Sequence, residues 1–245
     1  MYARVFGVRA LVPLDDYVGR AMFFFGDLDS KISWVVKKIV RQGDVVLDIG
    51  ANLGLVSFRL AQIVGPAGVV HSFEPNPKMV DYIQKSLQVN PSLNINIHAI
   101  GLGATEGQMT LSVPSGNAGA ASLTAKGEAE GTENLQIQVR CLNNVVREEG
   151  IGRLDFIKMD VEGFEAEVLT GARDVISKFK PKAILFEEHG FNVSKDRPKS
   201  FRLLEELGYE VLAIPKNLFW NRLVSLDHKK SGYAHDFVAL AKELR

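Results

Sequence analysis

The chain has 245 residues, of which 46% are hydrophobic and 24% charged, and its Lys+Arg and Asp+Glu totals are both 29. This is the composition of an ordinary globular domain, and the balanced charge excludes a global basic field for nucleic acid. A single cysteine, Cys141, excludes an internal disulfide and a Cys-rich zinc site, and no apolar run reaches the length of a membrane span.

Near the start, Arg9 interrupts the apolar residues and Asp15 and Asp16 follow, which makes a poor secretion signal; a cytoplasmic protein is expected. Residues 1–28 are taken as an N-terminal extension to a domain at 29–245. Their Phe23-Phe24-Phe25 run fits a strap on a sheet edge, a homo-oligomer contact or the mouth of an apolar substrate site. Residues 30–41 carry a helical stripe of Ile32, Val35, Val36, Ile39 and Val40. Gly43 and Asp44 end it, and Val45-Val46-Leu47 starts a buried strand. Leu55, Phe58, Leu60, Ala61 and Ile63 mark a helix closed by Gly65-Pro66. A strand at 69–73, a helix at 78–89 after Pro77 and a strand at 95–100 follow. Shorter β-like stretches at 108–113 and 135–142 flank an insertion at 114–134. This insertion is rich in Gly, Ala, Ser and Glu, and is expected to be a mobile loop. Then come a strand at 156–159, a helix at 165–179, a strand at 183–187, a helix at 198–207 and strands at 210–214 and 237–241.

This alternation predicts an α/β fold, a mostly parallel sheet covered by helices on both faces. Such sheets bind ligands at the carboxyl ends of their strands, where the strand order reverses. Asp48, Glu74, Asp160 and Glu187 each stand at such an end. The turn Asp48-Ile49-Gly50-Ala51-Asn52-Leu53-Gly54 lets the backbone approach either a ligand or a packed neighbour. Asn52 occupies the place of the second glycine in the dinucleotide fingerprint. The acid two residues before Gly50 suits the ammonium of an amino-acid ligand, with loop N–H groups holding its carboxylate. Glu74, 20 residues beyond Gly54, is placed for a ribose. An amino acid beside a ribose, without a pyrophosphate loop, points to S-adenosylmethionine rather than a nicotinamide cofactor.

The first motif, with Phe73-Glu74-Pro75-Asn76, Lys158-Met159-Asp160-Val161-Glu162-Gly163-Phe164-Glu165 and Ile184-Leu185-Phe186-Glu187, resembles the FkbM-type methyltransferases. The resemblance runs from about residue 29 to 188, plus a C-terminal strand, and is most specific in the Asp160–Glu165 block. It implies a Rossmann-like class I methyltransferase sandwich with a mostly parallel seven-stranded sheet and helices on both faces. It further implies S-adenosylmethionine as cofactor and a small hydroxylated metabolite, polyketide or sugar as substrate. Carried over by position, Asp48, Gly50, Asn52 and Gly54 would contact the methionine portion and Glu74 the ribose. Ala99, Ile100 and Gly101 would lie against adenine, and Asp160 between cofactor and substrate; Ala51, Phe73 and Pro75 belong to the same cofactor motifs. The sequence departs from the family at Leu142-Asn143, where Leu-Asp is common.

An alcohol nucleophile benefits from a base, and Asp160, Glu162, Glu187 and His189 are the candidates. The acids would also suit a divalent ion, yet no metal is expected, since backbone N–H groups and a cationic cofactor can satisfy them. A nicotinamide-dependent oxidoreductase and a non-catalytic S-adenosylmethionine-binding module are the alternative functions.

Overall fold

The computed structural model describes residues 1–27, 29–123, 131–189, 191, 196–216, 221–228 and 234–242. Apolar runs make the central strands because both of their faces are covered. They are β3 (Val45–Ile49), β4 (Val69–Phe73), β5 (Ile95–His98), β9 (Phe156–Met159), β10 (Ala183–Glu187), β11 (Tyr209–Ala213), β12 (Val224–Ser225) and β13 (Asp236–Ala241). Alternate residues serve opposite cores. Leu47, Ile157, Ile184 and Phe237 face one cluster, whereas Val46, Phe156, Leu185 and Val238 face the other.

The sheet has eight strands in the order β12-β11-β13-β10-β9-β3-β4-β5. From β10 to β5 all pairs are parallel, while β13 runs antiparallel to both β10 and β11. The strand beyond the predicted seven is β12, whose two residues are too short to show a period. The order reverses beside β3, which pairs with β4 on one side and β9 on the other. The site is therefore expected at the carboxyl ends of β3 and β9.

Helices α2 (Ser30–Ile39) and α3 (Leu55–Val64) cover one face, and α5 (Leu142–Glu148), α6 (Glu165–Gly171), α7 (Arg173–Phe179) and α8 (Lys199–Glu206) cover the other. The helix predicted at 165–179 is divided at Ala172, which closes α6 and opens α7. Gly171 fixes that position: a Cβ there would lie 2.0 Å from the Gly103 carbonyl oxygen. The α4 helix (Pro77–Gln88) starts at Pro77, as a fixed φ allows at a first turn.

The predicted strand at 95–100 ends at His98, and β6 (Gly101–Leu102) enters a separate three-stranded sheet with β7 (Gly107–Pro114) and β8 (Thr132–Arg140). Residues 132–134 are therefore strand rather than loop, and 118–120 form a 3-10 turn. Residues 124–130, the middle of the predicted insertion, lie outside the described residues.

Residues 1–27 are integrated with the domain. They form a hairpin, β1 (Tyr2–Val5) and β2 (Val8–Leu11), followed by α1 (Tyr17–Phe25). Val5, Val8, Ala10 and Met22 share one cluster with Leu53, Phe58, Met79 and Ile83, so the two parts pack as one. Phe23 packs on this cluster, while Phe24 and Phe25 are 69% and 81% exposed.

Candidate active site

The cross-strand register places Ser72, Asp48 and Lys158 in one row over β4, β3 and β9. All three are buried. The Ser57 hydroxyl on α3 donates to Asp48 Oδ2 at 2.5 Å and accepts from Ser72 Oγ at 2.8 Å. Lys158 Nζ lies 3.2 Å from Asp48 Oδ1 and donates to the Gly50 carbonyl oxygen at 2.9 Å. Burial alone would lower the Lys158 pKa, but the charges of Asp48 and Asp160 outweigh it and hold the ammonium above its ordinary value. Asp48 has no exposed surface and does not line the cleft. The ammonium contact expected of it gives way to a buried ion pair that fixes the turn.

The turn itself also departs from expectation. The Gly50 and Ala51 N–H groups donate to the Phe73 carbonyl, Asn52 N–H to Glu74 Oε2, Leu53 N–H to Asn52 Oδ1 and Gly54 N–H to the Ala51 carbonyl. None is left to hold a ligand carboxylate. At Gly50, with φ of 75°, an added Cβ would lie 1.8 Å from the Asp160 carbonyl oxygen. This glycine admits the neighbouring turn, the packing role that a glycine turn also predicts. Gly54 serves as the left-handed N-cap of α3 and, like Ala99, lies outside the cleft lining.

A cleft of about 340 Å³ opens above the row. It is lined by Gly50, Ala51, Asn52 and Asp160, and by Phe73, Glu74, Pro75, Ile100 and Gly101, all expected of the cofactor set. Asn117 and Leu123, from the β7–β8 connection, cover it. Glu74 is buried, with Oε2 accepting from Asn52 N at 2.7 Å and Oε1 from Asn76 N at 2.9 Å. Burial pushes its pKa up to about 7 against the opposing effect of those N–H groups.

A second chamber of about 360 Å³ adjoins the first, between α2, α3 and the ends of β9, β10 and β13. Tyr17, Leu55, Val56, Lys158, Asp160 and Glu187 line both. Phe23, Phe24 and Phe25 line neither; from the N-terminal segment it is Phe6, Tyr17, Val18 and Asp27 that do. Glu162 lines the first chamber from a left-handed backbone (φ 51°), in a turn held by Glu165 Oε1, which accepts from Val161 N at 3.2 Å and Gly163 N at 3.3 Å. Burial, then the Asp160 and Asp236 charges, raises the Glu187 pKa to about 8; burial and Asp160 also raise that of Glu162.

His189 lines neither chamber. It stands behind the acids, its Nε2 3.5 Å from Glu162 Oε2 and 3.6 Å from Glu187 Oε1. The neighbouring Glu188 accepts instead from the Ser200 hydroxyl. Glu162, Glu187 and His189 each offer a ligand atom within 4.8 Å of the others, so although no metal is expected, the donors for one are grouped. Asn143 is structural: its Oδ1 accepts from Val175 N at 3.1 Å and its Nδ2 donates to Asp174 at 3.0 Å, supporting the first turn of α7.

The match with a family model decides the assignment: the methyltransferase FkbM domain covers residues 48–211. The chain belongs to the FkbM methyltransferase family. It is an S-adenosylmethionine-dependent methyltransferase. Methyltransferase sdnD of Sordaria araneosa is 26% identical over 195 residues, covering 62% of this chain and 75% of that one. The 2-O-methyltransferase NoeI of Sinorhizobium fredii is 22% identical, with 59% and 63% covered. The 31-O-demethyl-FK506 methyltransferase FkbM of Streptomyces tacrolimicus is 26% identical, with 64% and 70% covered. Among the described residues, no helix is long and apolar enough to cross a membrane.

Proposed function

We propose that the first chamber binds S-adenosylmethionine, that the second takes a small hydroxylated acceptor, and that methyl transfer to oxygen occurs where they meet. The carrying observation is that Asp160 and Glu187 line both chambers. Both the 2-O-methyltransferase and the 31-O-demethyl-FK506 methyltransferase are named for transfer to oxygen, which supports the same choice here.

When bound, S-adenosylmethionine supplies a methyl group on a positively charged sulfur. The residues present fit it. Each Glu74 oxygen keeps a lone pair beyond its backbone hydrogen bond and can accept from a ribose hydroxyl. Ile100 and Gly101 give adenine an apolar wall. With the turn N–H groups engaged, the first N–H groups of α3, at Leu55 and Val56, are the donors left for the methionine carboxylate.

Asp160 and Glu187 act as a carboxyl pair facing both chambers. Near neutral pH Glu187 keeps its proton, because burial, and then the charges of Asp160, Asp236 and Glu162, disfavour its ionised form. The pair accepts the acceptor's hydroxyl proton as the new C–O bond forms, a contribution of roughly 10²–10⁴-fold. His189, half exposed behind Glu187, passes the proton to water. An imidazole between two carboxylates takes the place of a metal ion in this reading. The two chambers hold the reactants in line, and positioning supplies roughly 7–11 kcal/mol of the barrier. A single cysteine, Cys141, accords with a cytoplasmic location.

Calorimetric titration tests this reading. S-adenosylhomocysteine should bind and NAD should not, and at about a hundred times its dissociation constant the former should add about 2.7 kcal/mol of stability. Binding of NAD alone would overturn the reading. Turnover that stops on chelation would restore the metal.

A further inference from the structure

We propose that the second chamber selects an acceptor carrying a carboxylate, and that Arg59 is the residue that binds it. This rests on the reading above that the acceptor occupies this chamber. Arg59 projects from α3, its guanidinium carbon 4.7 Å from the centre of the Phe6 ring. Its Nε is buried with no hydrogen-bond partner, and it forms no ion pair with any described residue. Of the other cations that line the chamber, Lys31 is neutralised by Asp236 and Asp29 and Lys158 by Asp48, while Lys216 is exposed to solvent; Arg59 itself is partly buried.

A guanidinium cannot shed its proton to escape an unfavourable setting, so an unpaired one in a cavity wall is costly unless an anion arrives. Its planar fork matches a carboxylate through two parallel hydrogen bonds. The anion is not the cofactor's own carboxylate, because Arg59 and Phe6 line the second chamber and not the first. A dianionic phosphate is disfavoured by Asp27, Asp29 and Asp236 in the same wall. The acceptor is then a hydroxy acid, its hydroxyl at Asp160 and Glu187 and its carboxylate at Arg59.

The test uses the full chain saturated with S-adenosylhomocysteine. Two matched pairs are titrated, D-glucuronate against D-glucose and 4-hydroxybenzoate against 4-hydroxybenzyl alcohol, with inorganic phosphate as a further probe. At least one acid should bind about tenfold or more tighter than its neutral partner and than phosphate. Arg59→Gln should abolish that preference, keep S-adenosylhomocysteine affinity within about twofold and leave the melting temperature equal or higher; Arg59→Lys should retain part of it. The proposal is overturned if neither acid is preferred, if phosphate binds best, or if Arg59→Gln weakens S-adenosylhomocysteine instead. Failure of S-adenosylhomocysteine itself to bind would strike the cofactor reading, a separate result.

Discussion

The ends of β3 and β9 and the ends of β9 and β10 both gather carboxylates, but they treat them in opposite ways. At the first, Asp48 is enclosed with a lysine and a hydroxyl, and its charge is compensated inside the protein. At the second, Asp160, Glu162 and Glu187 crowd together, and among the described residues the lysine beside them is Lys158, which Asp48 already holds. Compensated charge fixes a shape. Uncompensated carboxyl groups at a cavity wall are held ready for a ligand, which in the proposed reading is cationic on one side and loses a proton on the other.

The sharpest way to break this comparison is to remove one partner of the compensated pair. Lys158→Met leaves Asp48 buried and alone, so urea unfolding should show a loss of about 3–5 kcal/mol. Asp48→Leu added to it should recover much of that loss. A single variant as stable as the wild type would mean that the pair holds nothing together.

The uncompensated end should answer in turnover instead. Asp160→Asn should lower kcat/KM by roughly a hundredfold or more while shifting stability by less than about 1 kcal/mol. His189→Ala, outside both chambers, should cost far less; abolished activity there would move the base to His189.

Glu74 sits between the two cases, buried yet facing the cleft. Glu74→Gln should weaken S-adenosylhomocysteine by about 1–3 kcal/mol, since hydrogen bonds to a charged acceptor are lost. In the wild type, affinity should fall as pH drops through about 7, where Glu74 takes up a proton, and the Gln variant should show a flat profile. Glu187 gives a stability effect of opposite sense to a salt-bridged acid. Its pKa rises on folding from 4.5 to about 8, so the folded state binds the extra proton between these values. Its contribution is complete below 4.5 and is lost as pH rises through about 8, and Glu187→Gln should flatten that part of the stability curve.

Much of this was legible in the sequence because apolar periodicity and strand-end carboxylates are local signals. Glu74, Asp160 and Glu187 could be placed from strand order alone. Lys158 carries a signal of its own: a lysine inside the apolar run Phe156-Ile157-Lys158-Met159 needs a buried partner. The role of Asp48 was not readable, because only the register across β3 and β9 reveals that its partner is Lys158. The hairpin and α1 were missed because their burial is decided by α3 and α4, distant in sequence. Arg59 looks like any polar residue of an amphipathic helix until Phe6 and the second chamber are seen beside it.

The smallest expected effect concerns Asn143, where the family commonly carries aspartate. Its amide oxygen accepts from Val175 N–H near the start of α7, and its amide nitrogen donates to Asp174. Asn143→Asp keeps the acceptor and adds a charge that the α7 N-terminus favours. The same change loses the donor and sets two carboxylates side by side, and Asp174 is exposed, so water screens the repulsion. The opposing effects leave a net change within about 0.5 kcal/mol, measurable as a nearly unmoved urea midpoint. Turnover should be unchanged, because Asn143 lines neither chamber. A gain or loss of activity of tenfold or so would show that this position reaches the reacting centre after all.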